Sequence, residues 1–376
     1  MAIRMIALGI VLLWVSGSRA GIYQPSQGFD FELNDQGYAT PIQFNNGFDG
    51  IYKELRDIMR PGSPLNQKYT QRVQELSREP ISKLTSDELA ELTASLLRLN
   101  RPNEVLSKLQ VISRDPRKGD YLVYNHMAHA FYMRGADELI HAYRHQMITK
   151  TLPFPKKFGR LSEKELAWLK RVELDYYLPW MGYRADEVRR SPGLRDISKD
   201  QIDPIFPTAP PLKNTEPVQF IDENGGYSAG KIAPQEMAKL PPDAIAIVQQ
   251  MLMWHPSDPR LCWLLAELYN AHGQVETALK MMDDCSFSLG YLNDTMKQHR
   301  RVLRDHVESL YAERETQRKE EEAKKQAEID AENARLLAER RERIWIISIV
   351  IGFGLVVAIF QIRVIYQRVQ RWRRAN

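Results

Sequence analysis

The sequence predicts an all-α protein: a body of stacked helix pairs, a long charged helix, and one hydrophobic helix that crosses a membrane. Three observations carry this. Helical apolar spacing recurs in pairs of segments broken by short Gly, Asn or Pro turns. A stretch of about forty residues at 303–343 is rich in Glu, Lys, Arg, Ala and Gln and has no Gly or Pro. After it, Ile344 to Ile362 form a run without a single charge, about 28 Å as a helix, which matches a bilayer core.

The N-terminus, residues 1–20, reads as a secretory signal. Arg4 precedes an apolar run from Met5 to Val15, and Ser18-Arg19-Ala20 offers a small-x-small cleavage site before Gly21. The apolar run rises only about 16 Å as a helix, too short to span a bilayer. The alternative is an uncleaved anchor. Residues 21–84 follow: 21–47 are polar, aromatic and aperiodic, and helices are expected at 49–59 and 65–78 on either side of the turn Arg60-Pro61-Gly62-Ser63-Pro64.

Residues 85–150 hold two helix pairs. The first opens on a Ser/Thr-x-x-Glu capping box, Thr85 and Glu88, and turns at Asn100-Arg101-Pro102. The second turns at Gly135. Residues 151–242 break the pattern: an amphipathic helix from Ser162 to Leu178 with its own capping box (Ser162, Glu165), then five prolines between Asp203 and Pro217, which exclude a helix. Val218–Asp222 and Tyr227–Ala233 flank Asn224-Gly225-Gly226, a β-hairpin signal. Residues 243–302 return to helical spacing, with a lone helix around Ala244 and Val248 and a third pair about Gly273.

A helix pair of this kind cannot bury both its apolar stripes alone, so stacking on neighbours is expected. The pairs resemble the tetratricopeptide repeat. In the first, Leu89, Leu92, Thr93 and Leu96 take the first-helix places and Val105 and Leu109 the second. In the second pair Tyr124, Met127, Ala128 and Phe131 fit, with Leu139 and Tyr143 following. In the third, Cys262, Leu265, Ala266, Tyr269, Ala278 and Met282 do so, with Ala244, Val248 and Pro256 matching a second helix upstream. Most of the family's Trp, Gly and terminal Pro are missing. The two-part layout is similar to bacterial envelope proteins with irregular tetratricopeptide units. The resemblance implies a right-handed helical solenoid whose first helices line a concave groove for peptides or partner segments. That face would present Asn125, His129, Tyr132, Arg260, Trp263, Glu267 and Asn270; the alternative is that Trp263 and Tyr132 pack between units or against the insertion. The Lys/Asn carboxylate clamp of some family members is not reproduced.

In the charged stretch 303–343, acid-first pairs four apart (Glu315/Lys319, Glu320/Lys324, Glu321/Lys325, Glu339/Arg343) support a helix that forms by itself. A heptad from Leu303 and Leu310 runs into Gln317 and Lys324, so a solvated stalk is preferred to a coiled coil. The tail, residues 363–376, has five arginines and no acid, while the 31 residues before the span have nine basic and ten acidic side chains. This asymmetry puts the tail in the cytoplasm and the body outside it, as the signal does. Ile365, Val369 and Trp372 share a helical face of that tail, suited to anionic headgroups.

Lys and Arg number 52 against 48 Asp and Glu, a net charge of +4, and the middle of the chain has no basic face of the kind nucleic acid requires. Two cysteines, Cys262 and Cys285, exclude a disulfide framework; buried free thiols are expected, a bond between them being the alternative. No phosphate loop, metalloprotease, nucleophile-elbow or haem motif occurs. His126/His129 and His141/His145 have ligand-like spacing but need not converge. No cofactor or metal is expected. The expectation is a non-catalytic, membrane-tethered adaptor for other envelope proteins; a self-associating spacer is the alternative, and an enzyme with an unrecognised site comes third.

Signal cleavage after Ala20 would leave a mature chain beginning Gly21-Ile22. N-terminal sequencing of protein purified from membranes should read that start, and a chain still beginning at Met1 would establish the uncleaved anchor.

Overall fold

In the computed structural model the described residues are 22–26, 28–60, 62–113, 120–190, 202–207 and 216–375, with side chains through 371. The expected signal sequence, the middle of the proline-rich connector and the side chain of Trp372 lie outside them. The chain is mostly helical and divides into two units, one ending at Val307 and one beginning at Glu308.

The first unit begins with the segment that the sequence leaves irregular. Two short strands, β1 (Glu32–Leu33) and β2 (Ala39–Thr40), pair antiparallel with Leu33 opposite Ala39. Their turn is closed by Asn34, whose side-chain oxygen accepts from the N–H groups of Gln36 and Tyr38 at 3.0 and 2.9 Å, with Gly37 at φ +79°. A π-helical turn at Phe44–Phe48 leads into α1 (Asp49–Arg56), and α2 (Pro64–Leu76) follows with proline in its first turn.

The three expected helix pairs form and pack: α3 (Ser86–Arg98) with α4 (Pro102–Ser113), α5 (Tyr121–Met133) with α6 (Leu139–Thr149), and, after the insertion, α11 with α12. The Thr85 capping box is present in full: Thr85 accepts from the Glu88 N–H at 3.2 Å, and Glu88 accepts from the Thr85 N–H at 2.9 Å. Asn100 (φ +52°) and Gly135 (φ +102°) supply the left-handed backbone at the two turns.

In the insertion, Ser162 caps α7 (Glu163–Arg171) in a second capping box. The helix then runs on past the expected Leu178, through a π-helical stretch at Val172–Tyr177 into α8 (Leu178–Arg190). The expected hairpin at 218–233 does not form. Asp222 folds the turn onto itself, accepting from Asn224 N, Gly226 N and Ser228 Oγ at 2.9, 3.1 and 2.6 Å. The arms share one backbone bond, Ala233 N to the Ile221 carbonyl at 2.7 Å, and otherwise bond elsewhere: Val218 N to the Phe206 carbonyl (3.3 Å), Gln219 N to Glu236 (2.6 Å), and Gly230 N to Asn270 (2.7 Å). With the N–H groups of Val218, Gln219 and Gly230 spent on other segments, that single bond does not extend into a ladder.

A short helix, α9 (Pro234–Met237), precedes α10 (Ala244–Trp254), the lone helix of the sequence reading; α11 (Pro259–Ala271) and α12 (Val275–Phe287) pair around Gly273, φ +74°. The insertion separates the earlier pairs from the later ones: α8 packs on α6, and the π-helical stretch packs on α10. The segment just after β2 is fixed to α10, since Gln249 bonds both backbone groups of Ile42, at 2.9 and 2.7 Å. Cys262 and Cys285 are both free and buried, and the Cys262 thiol together with burial pushes Cys285 up.

A last helix, α13, runs unbroken from Asp294 to Ala375, 82 residues. It begins nine residues before the predicted stalk because Asn293 caps it, accepting from Met296 N at 2.9 Å, and because Met296, Leu303 and Val307 are buried in the first unit. From Glu308 on it belongs to the second unit. There Glu315 pairs with Arg318 at 2.7 Å and Lys319 at 3.6 Å, and the side chains of Ile344 to Ile362 are exposed along the helix.

Replacing Thr85 by Ala removes the oxygen that caps α3 and should destabilise the body by about 1 kcal/mol. Urea unfolding monitored by circular dichroism checks this, with Thr85→Ser expected to stay close to the parent.

Candidate functional site

The residues expected to line a groove on α5 and α11 are not on a free surface. Asn125, His129, Arg260, Trp263, Glu267 and Asn270 are at most 2% exposed, and Tyr132 is half-buried. Side chains and backbone of the chain's own insertion take up the polar groups of Asn125, His129, Arg260 and Asn270, and Asp258 and His299 those of Tyr132 and Glu267.

On α5, Asn125 donates to Glu173 at 2.6 Å. His129 Nδ1 lies 3.1 Å from the Tyr177 hydroxyl and 3.2 Å from His255 Nε2, and Tyr177 lies 2.7 Å from the same His255 nitrogen. Tyr132 donates to Asp258. On α11, Arg260 donates to both oxygens of Glu187, at 2.8 and 3.2 Å, and pairs with Asp203. Trp263 donates to Glu267 at 2.6 Å, and Glu267 also holds His299 of α13 at 2.7 Å. Asn270 donates to the Ser228 carbonyl at 3.1 Å and accepts from Gly230 N at 2.7 Å.

Two arrangements at this face were not read from the sequence. One is an ion-pair cluster. Asp203 accepts from Trp180 Nε1 at 2.8 Å and from Arg184 at 2.7 to 3.1 Å, while Arg184 also reaches Asp258 at 3.2 Å. Burial works against the Arg184 charge, but Asp203 and Asp258 outweigh it and raise its pKa. The other is the carboxyl of Glu173, whose pKa burial raises although Asn125 and Gln146 donate to it. The available signal was the density of aromatic and charged residues between Trp168 and Arg184, which a period-based reading treats as one amphipathic helix.

The histidines with ligand-like spacing separate. His126 bonds Thr93 at 2.6 Å, His129 joins Tyr177 and His255, and His141 and His145 stack on Phe131. Among the described residues no three His, Cys, Asp or Glu side chains converge on a point where a metal could sit. Burial lowers the pKa of His126 to about 4 and, with Arg98 and Arg184 nearby, of His255 to about 3; His129 is held well below its ordinary value for the same reason. Neutral imidazoles locked in a core are poor proton shuttles near pH 7. The arrangement therefore holds segments together; it presents neither a poised base nor a nucleophile.

No known family model matches the chain, and neither does any curated protein or solved structure.

Acid should loosen this core. Below about pH 6.5 the unfolded chain protonates histidines that the folded body keeps neutral, so their contribution, complete above that pH, is lost by about 1.4 kcal/mol per pH unit per histidine as pH falls toward the folded values. Glu173 acts in the opposite sense, because its raised pKa lets the folded state take up a proton first as pH falls. The urea midpoint is expected to fall from pH 7 to pH 5, and to fall further in Glu173→Gln. A midpoint independent of pH over that range would contradict neutral, buried histidines.

Proposed function

We propose that the chain is a membrane-tethered adaptor: a body of irregular tetratricopeptide-like units outside the cytoplasm that binds other envelope proteins without catalysing a reaction. The observation that carries this is the exposed apolar stretch Ile344–Ile362, which lies in one unbroken helix with side chains buried in the body, such as Leu303. A span of that length costs little in lipid and much in water. One membrane-long apolar helix is the only one of its kind among the described residues.

Two further features support the reading. The arginine-rich tail beyond the span and the balanced charge before it favour a body on the outer side. The charges of the Asp203 cluster, Arg184, Arg260, Glu187 and Asp258, are spent on each other, which suits a scaffold better than an enzyme. Because Glu173, Tyr177, Glu187, Asp203 and Ser228 of the insertion occupy polar groups on α5 and α11, the adaptor binds partners through its outer surface; an inner groove of the tetratricopeptide type would require those contacts to part.

Cross-linking in native membranes followed by mass spectrometry tests the proposal. The expected result is a discrete set of envelope proteins linked to the body through lysines before residue 308. Cross-links only between copies of the chain would identify a self-associating spacer instead.

A further inference from the structure

One stretch of the first unit carries charge of a single sign. From Leu139 to Ser162 there is no Asp or Glu, while Arg144, Lys150, Lys156, Lys157 and Arg160 fall within it. All five side chains are exposed. Several exposed arginines elsewhere on the body have partners, Arg101 in Glu104, Arg134 in Glu138 and Arg189 in Asp186. Among the described residues none of these five has a carboxylate within ion-pair distance. Asp175 lies near enough for Lys150 to act on its carboxyl, whose pKa burial raises and Arg171 and Lys150 lower, but the two do not pair.

Apolar surface lies among the charges. On the last turns of α6, Met147 and Ile148 are 39% and 37% exposed. Arg144 precedes them by three and four residues, which puts all three on one side of the helix.

The loop after α6 is fastened to the body. Phe154 packs on Tyr121 and Tyr23, with ring centroids 4.7 and 6.0 Å apart, and Phe158 packs on Tyr23 at 5.8 Å. Lys170 of α7 stands over the Phe154 ring, 5.8 Å from its centroid, and brings a further charge to the loop. A loop pinned in this way does not have to be ordered when something binds to it, which lowers the entropy cost of association.

The combination selects the partner. A lipid surface calls for exposed Trp, Phe or Leu that can enter the headgroup layer, and here Phe154 and Phe158 are packed on the body. A nucleic acid calls for a longer basic stripe and for exposed rings on which bases stack. Arginine and methionine beside one another are typical of protein interfaces, and opposite charge across such an interface steers the partner and sets its register.

We propose that this surface docks an acidic polypeptide segment of a partner protein, with its carboxylates facing the unpaired cations and an apolar side chain resting on Met147 and Ile148. The proposal rests on the adaptor reading and supplies for it the docking surface and the chemistry of the partner.

The test uses the full chain in nanodiscs of neutral lipid and a labelled acetylated peptide, Glu-Glu-Leu-Glu-Glu-Leu-Glu-Glu, followed by fluorescence anisotropy with empty nanodiscs as the blank. Saturable binding is expected, at least roughly tenfold tighter than that of the same peptide with Gln for Glu, and weakening as salt rises from about 0.05 to about 0.5 M. Reversing two loop charges together, Lys156→Glu with Lys157→Glu, should weaken binding by roughly tenfold or more. The same reversal at two exposed, unpaired lysines elsewhere on the body, Lys68→Glu with Lys83→Glu, should leave it close to the parent. Met147→Ser with Ile148→Ser should weaken it by roughly fivefold. Thermal melts identify any variant that fails to fold, and the loop reversal touches only exposed side chains. Equal binding of the Glu and Gln peptides by the parent, or parent-like binding by the folded loop variant, would overturn the proposal. Vesicles of phosphatidylglycerol that outcompete the peptide would overturn it in favour of a lipid surface, and a salt-sensitive oligomer of the parent that the loop variant fails to form would overturn it in favour of a second copy of the chain. The outcome is separable from that of cross-linking in membranes: envelope cross-links that persist unchanged in the loop variant would sink this surface and leave the adaptor, whereas peptide binding lost in the loop variant, without envelope cross-links in the parent, would support the surface and sink the adaptor.

Discussion

The carboxylate of Asp203 is the point to which the insertion is tied. It receives Trp180 and Arg184 from α8 and Arg260 from α11, and Arg260 in turn binds Glu187 while Arg184 reaches Asp258. Asp258 also caps α11, accepting from Leu261 N at 2.8 Å. Buried ions of this kind add little net stability compared with an apolar core, but parting them strands charges in a low dielectric. The insertion is held because leaving would expose unpaired arginines and carboxylates on both faces at once.

The fixed position of the insertion shapes the rest of the body. Polar side chains of α5 and α11 that a tetratricopeptide-type groove would offer to a partner bind Glu173, Tyr177, Glu187 and Ser228 of the same chain. The aromatic and histidine cluster of His129, Tyr177, Trp254 and His255, with ring centroids between 5.0 and 5.9 Å apart, fills the seam between the early and late helix pairs.

The second unit obeys simpler rules. Between Glu308 and Arg343 the helix is polar on every side and is supported by near-neighbour ion pairs such as Glu315 with Arg318 and Lys319. From Ile344 the same helix becomes apolar over a length that would cross a bilayer. The change occurs within a few residues and without a break in the backbone.

Much of this was legible from the chain alone, because it rests on local chemistry. Helix periodicity, the capping boxes at Thr85 and Ser162, the turns at Asn100, Gly135 and Gly273, and the uncharged run from Ile344 depend on residues within a few positions of one another, so the sequence determines them. Tertiary structure decided where each polar side chain finds its partner. The turn at Asn224-Gly225-Gly226 has hairpin chemistry, yet only one backbone bond joins its arms, and Val218, Gln219 and Gly230 bond Phe206, Glu236 and Asn270 instead. The residues of α5 and α11 have the spacing of a groove, yet they are covered by a segment that is distant in sequence. Arg98 reads as an ordinary helical arginine, and only the folded body removes water and counterions from it. Long-range partners carry no periodic signal, and that is the physical reason why the helices and the long apolar run could be read from the order of residues while the buried network and the covered face could not.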